Sequence, residues 1–144
     1  MARTDPYVNF RFLVEIDGIA MASFSECTGF GSRVDVVEYR EGGDPATVRK
    51  RPGRVTYPDI TLRWGVADTP WARALVDWHM SVVNNAIERK NGSIVLLDDA
   101  SREAERWNFF AAWPSALDYP DFSARGNEVS ISTMTVTCER LEPA

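Results

Sequence analysis

Residues 32–65 read SRVDVVEYREGGDPATVRKRPGRVTYPDITLRWG. Val34 and Val36 fall in phase within 32–39, and Ile60, Leu62 and Trp64 alternate with Thr61 and Arg63 within 55–65. Period-two alternation predicts strands with one buried side. Pro58 confines the start of the second strand to an edge or a bulge, because it has no N–H for a ladder. Between the two strands, 40–54 has no periodicity and is broken by glycine and proline, so it reads as a long extended loop. From Tyr39 to Arg54 there are five cations (Arg40, Arg49, Lys50, Arg51, Arg54) and two carboxylates (Glu41, Asp44), a local charge of +3. The whole chain carries −5, which leaves −8 outside this segment. A basic partner-seeking surface is therefore confined to one place.

The same alternation extends in both directions. In 7–16, YVNFRFLVEI, one side takes Val8, Phe10, Phe12, Val14 and Ile16. Asp17-Gly18 is a two-residue hairpin signal, so 19–25 is expected to return as a strand. Further strands are expected at 93–98, 105–113, 115–119 (after Pro114) and 127–141. The apolar phase of the last strand shifts near Ser132-Thr133, which predicts a bulge or a change of sheet. One segment has a different period. Thr69-Pro70 is a helix start and Asn91-Gly92 a stop, giving a helix over about 70–89. Its apolar residues, from Trp71 to Ile87, cover more than half the circumference. That is wider than one sheet face can satisfy, so a second element or another subunit should cover the remainder.

A chain of 144 residues, 44% hydrophobic and 26% charged, is one domain and buries enough surface to hold a core without staples. The expected organisation is a single domain over 1–144, with an N-terminal arm at about 1–6, the extended loop at about 40–54 and the helix. The expected fold is mainly β: an antiparallel β-barrel or sandwich of about seven or eight strands flanked by a single α-helix. The start MARTDPYVNFRF has no apolar core of a signal peptide, which predicts cytoplasmic assembly. No apolar run is long enough to predict a membrane span. Cys27 and Cys138 are far apart and without metal-ligand spacing, and are expected to be reduced and packed.

Catalytic chemistry has no carrier in this sequence. His79, the one histidine, has no second imidazole to share a metal and is expected to be a packed, hydrogen-bonded core residue. Asp98/Asp99 and Glu103/Glu105 flank a turn and read as solvated surface. The glycines of EGGDPA and GFGS do not open a helix after a strand, so they do not form a phosphate loop. The expectation is no enzyme, no cofactor and no metal. The basic loop then has three readings: a nucleic-acid contact, a solvated loop that guards a strand edge, or a docking loop that meets acidic surface on another copy.

The stretches PYVNFRFLVEIDG, FSECTGF, VVEYREGGD…VRKRPGRVTYPDITLRWG, LVDWH, NGSIVLLDD, RWNFFAAWPSAL and GNEVSISTMTVTCERLE occur in an order that resembles the tail tube family of contractile phages and phage-like contractile injection systems. The resemblance runs from about residue 6 to 142. The type VI secretion tube protein is similar in fold. What the resemblance implies is a structural protomer that closes into hexameric rings, which stack into a hollow tube inside a contractile sheath. The implied partners are other copies of the chain, a sheath protein, baseplate or tube-initiator proteins, and cargo or DNA in the lumen.

On that reading the inter-ring loop comprises Tyr39, Arg40, Glu41, Gly42, Gly43, Asp44, Arg49, Lys50, Arg51 and Arg54. Its cations would meet carboxylates on the next ring. The polar faces of the first and last long strands offer Arg11, Glu15, Thr133, Thr135 and Thr137 as lumen-facing residues. The rival readings are a tube-initiator or baseplate-adjacent paralogue forming one ring layer, a nucleic-acid-binding barrel with steep salt dependence, and a small-ligand-binding barrel. Phage tail and protein-delivering system are not distinguished by the residues.

Overall fold

A computed structural model describes residues 12–17, 19–22, 24–40, 42–43, 46–65, 70–120 and 130–144. The alternating segments form ten strands among the described residues, with one helix. In chain order these are β1 (Phe12–Ile16), β2 (Ile19–Ala22), β3 (Glu26–Thr28), β4 (Arg33–Tyr39), β5 (Arg49–Thr56), β6 (Ile60–Gly65), α1 (Pro70–Val83), β7 (Lys90–Leu97), β8 (Glu103–Asp118), β9 (Ile131–Thr137) and β10 (Arg140–Pro143). Eight strands make one sheet in the order β2-β1-β7-β8-β9-β6-β3, with β10 also on β8. Strands β4 and β5 form a separate two-stranded sheet. All pairings are antiparallel, as the hairpin-rich sequence predicts.

Strand β8 organises the large sheet. Its first half pairs with β7 and β10, and its second half with β9. Between Lys90↔Ala112 and Gly92↔Phe109 the register slips, so β8 carries an extra residue there. Ala111 takes the left-handed conformation (φ 53°) at that bulge, and the Asn91 side-chain oxygen accepts its N–H at 3.0 Å. Bulges sharpen local bend and twist, and this one turns the sheet back on itself. A second slip follows Pro114, where the missing N–H is accommodated as an irregularity. The strand expected at 115–119 is therefore the end of β8, and Pro114 does not divide it.

The two halves of the sheet face each other across the core. Val14, Ile16, Ile94 and Phe109 come from one half, and Ile60, Leu62, Trp64, Met134 and Val136 from the other. The helix adds Ala72, Leu75 and Trp78. Phe24, Trp64 and Trp71 meet edge to face with centroids 5.3–6.3 Å apart, joining the start of α1 to β6. Cys27 and Cys138 are unbridged. His79 Nδ1 lies 3.2 Å from the Pro114 carbonyl, the packed and hydrogen-bonded position expected of it.

Several boundaries differ from the sequence reading. The helix ends at Val83 and not near 89. Asn85 is left-handed (φ 62°), with Ala86 N–H bonded to Ser81 O at 2.7 Å and Asn85 N–H to Val82 O at 3.1 Å. That is a Schellman stop with asparagine in place of glycine. The chain then returns extended, pinned by Trp78 Nε1 donating to the Glu88 carbonyl at 2.7 Å. In the last strand the phase runs unbroken through buried Ser132, Met134, Val136 and Cys138, then moves to Leu141. The shift expected near Ser132-Thr133 thus lies at Cys138-Glu139, because Ser132 is a buried polar residue that alternation alone assigns to the wet side. Thr69, Gly18 and 121–129 lie outside the described residues.

Gly92 sits where β1, β7 and the Phe109 ring converge. A Cβ there would collide with the Phe109 ring and the Glu15 carbonyl. Gly92→Ala is expected to lower stability by about 1–3 kcal/mol, the usual cost of overpacking. A shift of the urea midpoint with unchanged slope measures it.

Candidate assembly interface

The segment 40–54, expected as a loop throughout, is half strand. Arg49, Lys50, Arg51 and Arg54 belong to β5, which pairs with β4 in the register Tyr39↔Arg49, Glu38↔Lys50, Val37↔Arg51 and Val36↔Pro52. The alternation was hidden because the cations occupy successive positions on both faces. One residue later the register slips, and Asp35 opposes both Gly53 and Arg54 before Val34↔Val55 resumes. A Cβ on Gly53 would come within 2.9 Å of Val37 Cγ2, so glycine permits this bulge. Pro52 loses nothing beside it, since a bulge breaks the ladder anyway. Arg40, Gly42 and Gly43 lie in the connecting turn region; Glu41 and Asp44 lie outside the described residues.

Every residue of β4 and β5 is exposed. Val34, Val36 and Val55, with Pro52, share one face by register, and Val36 is 63% exposed. Glu38 and Lys50 lie opposite each other on the same face. The other face carries Val37, Tyr39, Arg49 and Arg51. Lys50, Arg51 and Arg54 have no ion-pair partner among the described residues. A two-stranded ribbon is marginal in water by itself, and exposed contiguous apolar surface marks an interaction site. The hairpin therefore has the composition of a surface that another molecule covers. On α1, Met80 and Val83 are also exposed, with Ile87 just beyond it, so the wide apolar side is covered only in part by this chain.

The remaining candidates do not share a surface. Thr133, Thr135 and Thr137 stand on the outer side of β9, opposite buried Met134 and Val136. By register their neighbours are Thr61 and Arg63 on β6, and Arg63 is paired to Glu26 at 3.3 Å. The Thr137 hydroxyl is 3.1 Å from Asp59 Oδ1 and 3.0 Å from Ser115 Oγ. Glu15 stands on the outer side of β1, where Arg106 Nη1 donates to it at 3.0 Å. Glu103, by its hydrogen bonds, and Glu15 hold Arg106 firmly in its charged form. Because the two half-sheets face each other, their outer sides point apart. The threonine side and the Glu15 side therefore lie on different outer surfaces of the sheet. Arg11 lies outside the described residues.

Between β3 on one side and β1, β7 and β8 on the other lies a groove of about 410 Å³, lined by Phe12, Cys27, Phe30, Ile94, Leu96 and Trp107 with Ser25, Glu26 and Thr28 along β3. Phe30 and Trp107 are in ring contact at its end, with centroids 5.3 Å apart. Burial pushes the Cys27 thiol up to about 12. No cluster of three His, Cys, Asp or Glu that could hold a metal ion occurs among the described residues, and no described helix is long and apolar enough to cross a membrane.

The chain belongs to the T4-like virus tail tube protein gp19 family, whose model matches residues 8–142. It is a family of structural tube proteins. Among solved structures, the chain is 29% identical to one in the cryo-EM structure of the anti-feeding prophage cap, the tube-terminating cap, covering 100% of this chain and 94% of that one with a TM-score of 0.88. It is 30% identical to a chain of the extended sheath–tube complex of the PVC extracellular contractile injection system, covering 96% and 91% with a TM-score of 0.83. Hcp1 from Flavobacterium johnsoniae, at 14% identity, 92% and 94% coverage and a TM-score of 0.56, shares the fold. No curated protein matches the chain.

The Cys27 proton has a measurable consequence. Burial holds it on the folded chain up to about 12, well above the ordinary range of a thiol. The unfolded chain therefore releases the proton first, and stability present below about pH 9 falls as pH rises towards 12. Urea midpoints should drop between pH 9 and 11 in the native chain and drop less in Cys27→Ala.

Proposed function

We propose that this chain is the repeating building block of the inner tube of a contractile tail or phage-like injection particle, and that hairpin β4–β5 is its subunit-to-subunit device. The observation that carries the reading is the hairpin: eight exposed residues of β5 beside an equally exposed β4, with valines on both faces and cations along its length. Family membership supplies the tube, and the similarity to a sheath–tube complex supports a sheath around it. Assembly into hexameric rings that stack, baseplate contact and passage of cargo or DNA through the lumen belong to this same proposal.

The energetics favour a lattice over a pair. Fully burying a valine is worth about 1.5 kcal/mol or somewhat more, and association costs on the order of 4–15 kcal/mol in lost freedom. One hairpin contact is too weak to hold two copies. A chain that offers a hairpin to one neighbour and receives one from another gains the contact twice without a matching entropic cost each time. Contacts between unlike patches close into rings or continue as filaments, which is the geometry a tube requires.

For the channel wall, we assign the threonine side of β9 and β6. Its short hydroxyl side chains, the mutually neutralised Glu26–Arg63 pair and the single Asp59 carboxylate beside Thr137 make a smooth surface of low charge. The Glu15 side instead projects the long Arg106–Glu15–Glu103 network. A one-layer initiator or terminator of the same fold is the second reading, supported by the similarity to the tube-terminating cap structure.

Negative-stain electron microscopy of the purified chain over a concentration series, with baseplate components added in parallel, tests the assembly. Hollow rings and tubes are expected, with single rings alone favouring the terminator. Arg49→Glu/Lys50→Glu/Arg51→Glu should abolish stacking at 0.15 M salt; unchanged tubes would refute the hairpin's role. In assembled tubes, Thr135→Cys should react with a small maleimide but not with a maleimide carrying a large polymer, whereas Glu15→Cys should be shielded from neither by the channel.

A further inference from the structure

Asn91-Gly92, the one Asn-Gly pair in the chain, does not stop the helix but sits where the sheet bends. Both residues are fixed there. The Asn91 carbonyl accepts the Asp17 N–H at 3.0 Å, and the Asn91 side-chain oxygen accepts the N–H of left-handed Ala111 at 3.0 Å. Gly92 lies opposite Ile16 on β1 and Phe109 on β8, and a Cβ on it would collide with the Phe109 ring and the Glu15 carbonyl. The bend therefore needs glycine at 92 and a short acceptor at 91. That pairing is also the dipeptide that loses its side-chain amide most readily in water, because glycine has no Cβ to hinder its nitrogen or restrict the backbone. Asn91 itself is exposed.

We propose that Asn91 is a site of spontaneous deamidation that the folded bend holds shut, and that the reaction disables chains whose bend opens. The Gly92 backbone nitrogen gives up its proton and attacks Asn91 Cγ. The new N–Cγ bond replaces the Cγ–Nδ2 bond, and the amide nitrogen leaves with that proton as ammonia. Water then opens the cyclic imide. Cleavage at the side-chain carbonyl leaves aspartate with the original backbone. Cleavage at the main-chain carbonyl leaves isoaspartate, whose backbone runs through Cγ. No electrons are exchanged, and water is the co-reactant.

Reach, not reactivity, protects the folded chain. The hydrogen bond from Ala111 polarises the side-chain carbonyl, which by itself would favour attack. In an extended strand, however, the next residue's nitrogen points away from Cγ, and Asn91 belongs to β7. Ring closure requires the backbone to rotate out of the strand, which breaks the bonds to Asp17 and Ala111 together. Deamidation is slow against the reclosing of a local opening, so the folded-state rate follows the open fraction.

The two products differ in consequence. Aspartate still presents an oxygen to Ala111. Isoaspartate adds a methylene to the main chain of β7, between a residue bonded to β1 and β8 and a glycine packed against the Phe109 ring. Register cannot then be kept on both sides of the strand. A chain that folds promptly keeps its amide, and one that lingers open loses the ability to fold.

Peptide mapping by mass spectrometry tests this on the full chain, held in mildly alkaline buffer with and without urea above the unfolding midpoint. In urea the Asn91 peptide should convert to aspartate and isoaspartate forms, well ahead of peptides holding Asn84, Asn85 and Asn108. Without urea the conversion should be at least tenfold slower; equal rates overturn the proposal. After urea is removed, the aspartate form and the variant Asn91→Asp should regain a cooperative urea transition, and the isoaspartate form should not. An isoaspartate form that refolds to the native midpoint overturns it as well. Phe109→Leu, checked to keep a cooperative transition, loosens the packing over Gly92 and should speed the folded-state loss severalfold. An unchanged rate there counts against the bend as the guard.

Discussion

A sixteen-residue strand that has to serve two half-sheets is the constraint on which the molecule depends. Such a strand cannot stay straight, because a flat sheet of this order would leave both apolar faces in water. The bend is made at one place, where Asn91 satisfies the N–H of left-handed Ala111 and the register slips by a residue. Local strain at a non-glycine residue is tolerated only where the surroundings over-determine it. Here a ladder on each side and the Phe109 ring over Gly92 do so. From that bend follow the enclosed core, the separation of two outer faces, and the groove left open where β3 meets the β1–β7 side.

The parts left unsatisfied by this arrangement are as informative as the core. The chain buries its aromatic cluster and the inner side of its helix, yet exposes a ribbon with valines, the outer end of the helix and an apolar groove. In a monomer these would be aggregation liabilities. On the proposed tube reading they are the surfaces through which copies meet. On that reading, spreading the apolar area over separate, individually weak patches would let the chain remain a discrete unit until many contacts form together. The placement of the cations on the ribbon fits this, since charged side chains at an open edge restrain indiscriminate strand pairing.

Electrostatics follow the same division. The ion network of Glu15, Arg106 and Glu103 lies on one outer face and keeps one net negative charge. The threonine face holds the Glu26–Arg63 pair and the Asp59 carboxylate beside Thr137, among hydroxyls. On β5, Lys50, Arg51 and Arg54 have no ion-pair partner among the described residues. The overall charge of −5 therefore hides a segregation, a basic ribbon on an otherwise acidic body.

The sequence by itself determined the mainly β class, the single helix beginning at Pro70, the β1–β2 hairpin, the packed histidine and the basic segment as the exceptional feature. These are written in local periods and turn residues, which do not depend on the remainder of the chain. It was misleading where a local signal competes with a partner. Arg49, Lys50 and Arg51 look like a loop because consecutive cations show no alternation, and only pairing with β4 makes them a strand. Asn91-Gly92 looks like a helix stop, but Asn85 ends the helix, and Gly92 is needed for the close approach of Phe109. Ser132 looks exposed and is buried. Which outer face the threonines and Glu15 occupy, where the groove opens and that the hairpin stands exposed were decided by the tertiary structure alone. Alternation tells which residues share a side of a strand, but the bend at Ala111 decides what each side faces.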